Sequence, residues 1–315
     1  MSAPADIDAT LRLAVVIPCF DEAVTIGRVV EDFRKALPEA RIFVFDNNSR
    51  DASAEIARAA GARVVASPLQ GKGHVVRHIA DAVDADVYVL VDGDDTYPAD
   101  TAPEMVRRLC RENLDMLVGA RLEDYEAGAF RPFHRAGNRV ISWLIRLLFR
   151  ARLRDVLSGY RVLSRTFVDL VRLRRAGFEV ETEMTLQALA KGLRIAEVAV
   201  PYRRRPRGSQ SKLDTWSDGF LIARCIAMLF KDYKPLLFFS SLSALMALAA
   251  LAAGSAPILD FARTGLVFHM PRAVLAASLG TLSIIFLTAG LILDTIAKYH
   301  EETIGLWRRS FRRHP

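Results

Sequence analysis

Cysteine is scarce in this chain of 315 residues: Cys19, Cys110 and Cys225 are odd in number and far apart. That excludes a disulfide framework and a CxxC metal site, and it fits a reducing, cytosol-facing compartment. Residues 1–12 are acidic and hold no apolar run, so no cleaved secretory signal is expected. The GxGxxG pattern is missing from the first strand-to-helix turn, where Ile17-Pro18-Cys19-Phe20-Asp21-Glu22 stands instead. A plain dinucleotide-binding dehydrogenase is thereby disfavoured. Gly71-Lys72-Gly73-His74 lacks the spacing and the hydroxyl residue of a P-loop, which argues against a P-loop NTPase. His74 and His78 are four apart, but Val75 stands where a zinc protease carries Glu, so a structural or surface role is favoured. There is no internal repeat and no low-complexity tract.

What is present is apolar and basic. Hydrophobic residues make up 51% of the chain, and the formal charge is +7. Such a balance suits an anionic partner, which the charge alone leaves open among nucleic acid, lipid head group and phosphorylated substrate. Between Leu13 and Gly119, short apolar runs at 13–17, 42–45, 63–66, 87–91 and 116–118 read as strands. Helix-length stretches at 24–36, 52–60, 73–83 and 102–111 lie between them. Alternation of this kind predicts an α/β fold with a mostly parallel sheet and crossover helices.

Past this region the character changes. From Phe130 to Arg154, seven arginines interleave with aromatic and aliphatic residues. Such a segment suits a bilayer interface or an ordinary surface helix docked on its own sheet; the apolar runs downstream favour the first reading. Residues 236–255 and 273–293 are each uncharged for about 20 residues, long enough to cross a hydrocarbon core of roughly 30 Å. Lys231 and Lys234 precede the first run, and Lys298, Arg308, Arg309, Arg312 and Arg313 follow the second. The positive-inside bias then puts both chain ends in the cytosol. The expected organisation is a catalytic domain over 1–212, an interfacial helix over 213–235, a transmembrane hairpin over 236–297 and a basic tail over 298–315.

Two strand ends carry carboxylates. Val87-Tyr88-Val89-Leu90-Val91 delivers Asp92-Gly93-Asp94-Asp95 at a carboxyl edge, where ligands of open α/β sheets gather. Asp92 and Asp94 suit Mg²⁺ or Mn²⁺, which takes oxygen ligands and keeps substrate phosphates in its shell. Gly93 between them lets backbone approach a diphosphate closely. At the other strand end, Asp46 can accept from a ribose hydroxyl or a base N–H while Asn47 and Ser49 set the turn.

In order, Val15-Val16-Ile17-Pro18-Cys19-Phe20-Asp21-Glu22, Asp46-Asn47-Asn48-Ser49-Arg50-Asp51, Gly71-Lys72-Gly73 and Asp92-Gly93-Asp94 follow one another. Gly119-Ala120-Arg121, Ser158-Gly159-Tyr160-Arg161, residues 177–183 and Arg207-Gly208-Ser209-Gln210-Ser211-Lys212 continue the series. This succession resembles the family 2 glycosyltransferases of GT-A fold, in the branch of the dolichol-phosphate mannose synthases and bactoprenol glucosyltransferases. The resemblance covers about Leu13 to Lys234, and its order, more than any single piece, makes it specific.

The resemblance implies that Pro18, Phe20, Glu22 and Asp46 line a nucleotide pocket with Lys72 nearby. It implies that Asp92 and Asp94 hold the metal, and that Arg121, Arg161, Arg207, Ser211 and Lys212 hold phosphates of donor or acceptor. Arg131, Arg135 and Ser158 join the acceptor-phosphate set. Relatives often carry Gln where this chain has Thr96, so a metal contact from that position is not carried over. The expected partners are a nucleotide-diphosphate sugar, a polyprenyl-phosphate lipid and a membrane, with no nucleic acid; self-association is left open.

An acceptor phosphate monoester, ionised near neutral pH, attacks without a dedicated base. A hydroxyl acceptor would need one, and Glu181 or Glu183 is then the candidate, with plain helix charge as the other reading of both. Polysaccharide synthases of that second kind carry QxxRW, which this chain lacks. A non-catalytic sensor of nucleotide sugar is a third reading, disfavoured by the joint presence of Asp92, Asp94 and Arg161.

Overall fold

The computed structural model describes residues 10–125, 143, 145–146, 153–173, 180–206, 227–228, 230–231 and 234–311. In chain order the elements of the first compact unit are β1 (Leu13–Cys19), α1 (Ile26–Ala36), β2 (Arg41–Asp46), α2 (Ser53–Ala59) and β3 (Arg63–Ala66). There follow α3 (Lys72–Ala82), β4 (Val87–Leu90), α4 (Ala102–Arg111), β5 (Met116–Tyr125), β6 (Arg161–Ser164), α5 (Arg165–Leu170), α6 (Val180–Ala190) and β7 (Ile195–Tyr202). Seven described strands form one sheet in the order β3-β2-β1-β4-β6-β5-β7.

The strand sequences explain why the sheet is covered on both faces. Side chains along a strand alternate faces, so a strand with two buried faces reads as an unbroken apolar run. In β1, Leu13, Val15, Ile17 and Cys19 pack with Ile26, Val29, Val30 and Phe33 of α1 and with Met105, Val106 and Leu109 of α4. Ala14 and Val16 point the other way, into a second cluster with Val75, Val76 and Ile79 of α3, Phe167 of α5 and Met184 of α6.

The sheet is mostly parallel, as expected, and β6 is the strand that runs the other way. β1 pairs in parallel with β2 and β4, and β2 with β3, but β6 runs antiparallel to both β4 and β5. Its antiparallel course matters for the site. Leu90 at the end of β4 faces Arg161 at the start of β6, so residues leaving β4 confront residues entering β6.

The second compact unit spans residues 227–315, and the division at Ile226 falls inside the segment expected to be juxtamembrane. It contains α7 (Pro235–Thr264, 30 residues) and α8 (Met270–Phe311, 42 residues). Their apolar stretches have mean hydropathies of 2.1 and 2.0 and are almost entirely outward-facing, so both are long and apolar enough to cross a membrane. The helices run past the expected apolar spans: α7 closes at Gly265, whose φ of 70° suits a residue without a side chain, and α8 continues through Phe311, into the stretch expected as a basic tail. Between them, Ser283 Oγ donates to Ser243 O at 2.9 Å, and the two buried hydroxyls lie 3.0 Å apart.

Candidate active site

The loop after β4 is held tightly. Thr25 Oγ1 donates to Gly93 O at 2.7 Å, and a β-carbon on Gly93 would stand 3.3 Å from Ile26 Cδ1, so only a small residue lets this loop lie on α1. Asp94 accepts from Thr96 N at 3.2 Å and Thr96 Oγ1 at 2.6 Å, a local turn that fixes the carboxylate. Thr96 therefore serves as the orienting partner of Asp94. Asp95 completes the turn with a left-handed φ of 58°.

Arg28 lies 3.4 Å from Asp95, and two further cations face Asp92 and Asp94. Lys72, the first residue of α3, places Nζ 2.5 Å from Asp92 Oδ1 and 2.5 Å from Glu181 Oε1 at the start of α6. Arg205, just beyond β7, places one nitrogen 2.5 Å from Asp94 Oδ2 and another 3.8 Å from Glu22 Oε1. Burial acts against the Lys72 charge, but Asp92 and Glu181 outweigh it and raise its pKa. Burial, and then the charge of Asp92, raise the pKa of Asp94 against the opposing pull of Arg205. The two aspartates thus crowd one another, and positive charge is what stabilises them.

On the far side of β1 the loops are tied into one wall. Asn47 donates to Ser67 O and Leu69 O, both at 2.8 Å, and its Oδ1 accepts from Gly71 N at 2.8 Å. Asp21, at a φ of 52°, donates its N–H to Ser49 Oγ at 3.0 Å, and its Oδ1 accepts from Arg50 N at 2.6 Å. Glu22 N donates to Ser53 Oγ at 2.8 Å. Pro18, Phe20 and Asp46 stay half-buried at the ends of β1 and β2. Of the expected residues, then, Glu22, Lys72, Asp92 and Asp94 come together, with Pro18, Phe20 and Asp46 at the neighbouring strand ends.

Other expected site residues lie deeper. Arg161 is fully buried and spends its donors on Ser158 O (3.0 Å), Val156 O (2.7 Å) and Thr185 Oγ1 (2.9 Å). Burial lowers its pKa. Arg161, for which the resemblance implies a phosphate contact, is enclosed by these bonds at the start of β6, behind the site. Ser158 is buried as well, its hydroxyl donating to Gly119 O at 2.5 Å. Arg121 forms a fork to Asp155, with Nε 2.7 Å and Nη2 2.8 Å from its two oxygens, and lies over the Tyr202 ring. Glu183 is buried and accepts from Gln187 Nε2 at 2.9 Å. Arg131, Arg135, Arg207, Ser211 and Lys212 lie outside the described residues.

The basic run 202–207 reads from the sequence as a patch for lipid phosphate in preference to nucleic acid, and neither the place of Arg205 beside Asp94 nor the Arg121 partner Asp155 was foreseen. Nothing in a basic run tells which member turns inward. Asp155 carried no signal at all.

A hard divalent cation fits this donor set. Among the described residues no three His, Cys, Asp or Glu side chains converge on one point, so the protein offers the two carboxylates Asp92 and Asp94. One or two carboxylates, with substrate phosphate oxygens and water filling the rest, is the usual shell of Mg²⁺.

The family model for glycosyl transferase family 2 matches residues 14–169, which contain the whole loop after β4. A glycosyltransferase of Haloferax volcanii, AglJ, is 33% identical over 92% of this chain and 95% of its own length.

The chain belongs to glycosyl transferase family 2.

As a family 2 glycosyltransferase it is similar to two further relatives. The dolichyl-phosphate hexose transferase of Haloferax volcanii is 32% identical over 68% of this chain and 92% of its own. Protein RfbJ of Shigella flexneri is 49% identical over 40% of this chain and 98% of its own. Among solved structures, glucosyl-3-phosphoglycerate synthase from Mycobacterium tuberculosis, in complex with Mn²⁺, uridine-diphosphate and glucosyl-3-phosphoglycerate, superposes with a TM-score of 0.58. It covers 73% of this chain and 85% of its own at 22% identity, a likeness that establishes the GT-A fold.

Proposed function

We propose that this glycosyltransferase moves a sugar, with inversion, from a UDP- or GDP-sugar to polyprenyl phosphate at the cytosolic face of the cytoplasmic membrane. The observation that carries the reading is the Asp92–Asp94 pair at the carboxyl edge of β4, flanked by Lys72 and Arg205. Asp92 and Asp94 would hold Mg²⁺ or Mn²⁺, which as a Lewis acid lowers the charge on a departing diphosphate. Lys72 and Arg205 add fixed positive charge where negative charge grows as the sugar–phosphate bond breaks, the kind of stabilisation that counts most in the transition state.

Support for a phosphate acceptor comes from the glutamates. Glu181 is held by Lys72 at 2.5 Å, and Glu183 is buried against Gln187. Neither is poised to take a proton from a hydroxyl, whereas an ionised phosphate monoester needs no such base. One relative, the dolichyl-phosphate hexose transferase of Haloferax volcanii, bears a name that fits a lipid acceptor. The positive-inside bias about α7 and α8 supports cytosolic chain ends.

The test is a donor screen on membranes containing the protein, with UDP- and GDP-sugars, polyprenyl phosphate and Mn²⁺ or Mg²⁺, read by mass spectrometry of extracted lipid. One donor should add a single sugar to polyprenyl phosphate. Absence of lipid-linked sugar with every donor defeats the reading.

A further inference from the structure

One arrangement occurs twice around the loop after β4. Lys72 lies between Asp92 and Glu181, and Arg205 lies between Asp94 and Glu22. Each aspartate of the pair thus shares its cation with a glutamate from another element. We propose that Lys72 and Arg205 are positioning residues that change partner. They rest on Asp92 and Asp94 before cation and diphosphate arrive, and on Glu181 and Glu22 afterwards. This rests on the reading of Asp92 and Asp94 as the carboxylates that hold the cation.

Charge and burial both lead there. Four carboxylates share two basic groups here, so negative charge is left over for a divalent cation to meet, offset in part by the buried Arg161 behind Glu181. The Lys72 side chain is only 11% exposed. Were Asp92 taken from it with nothing in exchange, a desolvated ammonium would stand beside another cation, which is strongly unfavourable. Glu181, 7% exposed and already in contact, removes that cost without any side chain crossing solvent. Arg205 has five donors in a planar fork, so it can keep Glu22 on one edge and turn the other to a phosphate oxygen. Glu22 is itself fixed, with its N–H bound to Ser53 Oγ at 2.8 Å. On this account Glu181 acts through Lys72 and not as a proton acceptor.

The test is binding of Mn²⁺ alone, followed by the loss of its free electron-paramagnetic-resonance signal, to the purified full-length protein in detergent. Glu181→Gln leaves Lys72 with Asp92 as its single partner and is expected to weaken Mn²⁺ binding about fivefold, a coupling typical of contacting charges. Lys72→Gln is expected to tighten it. The double variant should bind as tightly as Lys72→Gln, because Glu181 has no Lys72 left to hold. If Glu181→Gln weakens Mn²⁺ equally with Lys72 present or absent, the glutamate acts by plain charge, and the change of partner is overturned.

The Glu22→Gln and Arg205→Gln cycle reads the same coupling at the more exposed pair, should the Glu181 variants fail to fold. There too, additivity overturns the proposal and coupling supports it. Asp92→Asn with Asp94→Asn separates the two levels. Mn²⁺ binding that survives this variant refutes the carboxylate pair itself; loss there alongside additive cycles refutes only the exchange.

Discussion

Gly159 lies directly against the carboxylate of Asp92: a β-carbon built on Gly159 would overlap Asp92 Oδ2 and stand 2.9 Å from its Cγ. The contact follows from the antiparallel run of β6, which brings the residues before it up to the loop after β4. Gly159 N also donates to Tyr97 OH at 3.2 Å, which fixes the backbone that Asp92 rests on.

Gly159→Ala must therefore turn the Asp92 carboxylate away. Because displacements of about 1 Å in a catalytic group cost about 100-fold in rate, turnover should fall by that order while the fold persists. Initial rates of lipid-linked product formation, beside circular dichroism of the same sample, check both halves.

Arg121 and Asp155 form a buried ion pair, with side chains 13% and 2% exposed. Breaking such a pair from one side leaves an uncompensated charge and costs about 3–5 kcal/mol. Asp155→Asn should lower the midpoint of thermal unfolding of the catalytic unit accordingly. Burial opposes ionisation of Asp155, but Arg121 outweighs it and lowers its pKa. The pair's contribution is thus present above the ordinary carboxylate value of about 3.9 and is lost as pH falls below it, through the depressed folded value. Parent and variant melts should differ at pH 7 and converge toward pH 3.

Asp94 has the opposite sign. Burial and the neighbouring Asp92 raise its pKa, so it lowers stability increasingly as pH climbs above the ordinary carboxylate range. Asp94→Asn keeps an acceptor for Thr96, and Arg205 keeps Glu22. In the absence of metal this variant should melt about 2–4 °C above the parent at pH 7, the shift expected for roughly 1 kcal/mol in a unit of this size. Its turnover should drop about 100-fold, as removal of one charge-stabilising group does elsewhere. Differential scanning calorimetry and product assays on one preparation check the pair of outcomes.

How much of this could be read beforehand differs by element. β1, β2 and β4 were legible because strands buried on both faces appear as unbroken apolar runs, and the ends of β2 and β4 located Asp46, Asp92 and Asp94 directly. Strand direction was not legible: Arg161-Val162-Leu163-Ser164 reads the same parallel or antiparallel, and only its neighbours decide. Arginine roles were the hardest to foresee. Arg161 enclosed behind the site, Arg121 as partner of Asp155 and Arg205 as partner of Asp94 share one side-chain chemistry, and tertiary placement alone separates them.

In the second unit, the Ser243–Ser283 clasp joins α7 to α8 where Gly290 packs closely, a β-carbon there standing 2.9 Å from Phe239 Cβ. Hydroxyl pairs between membrane helices contribute about 0.6 kcal/mol on average, so Ser283→Ala should be mild. Gly290→Leu should be severe, because it forces the two backbones apart. Denaturant titration in detergent, comparing the two variants, checks the ranking.

The central claim is that Asp92 and Asp94 grip a divalent cation against the diphosphate of the donor. An anomalous-scattering map from crystals grown with Mn²⁺ and UDP or GDP tests it most directly. The account requires a peak within coordination distance of both carboxylates and of the diphosphate oxygens. A nucleotide bound with its manganese elsewhere, and those two side chains still on Lys72 and Arg205, contradicts it.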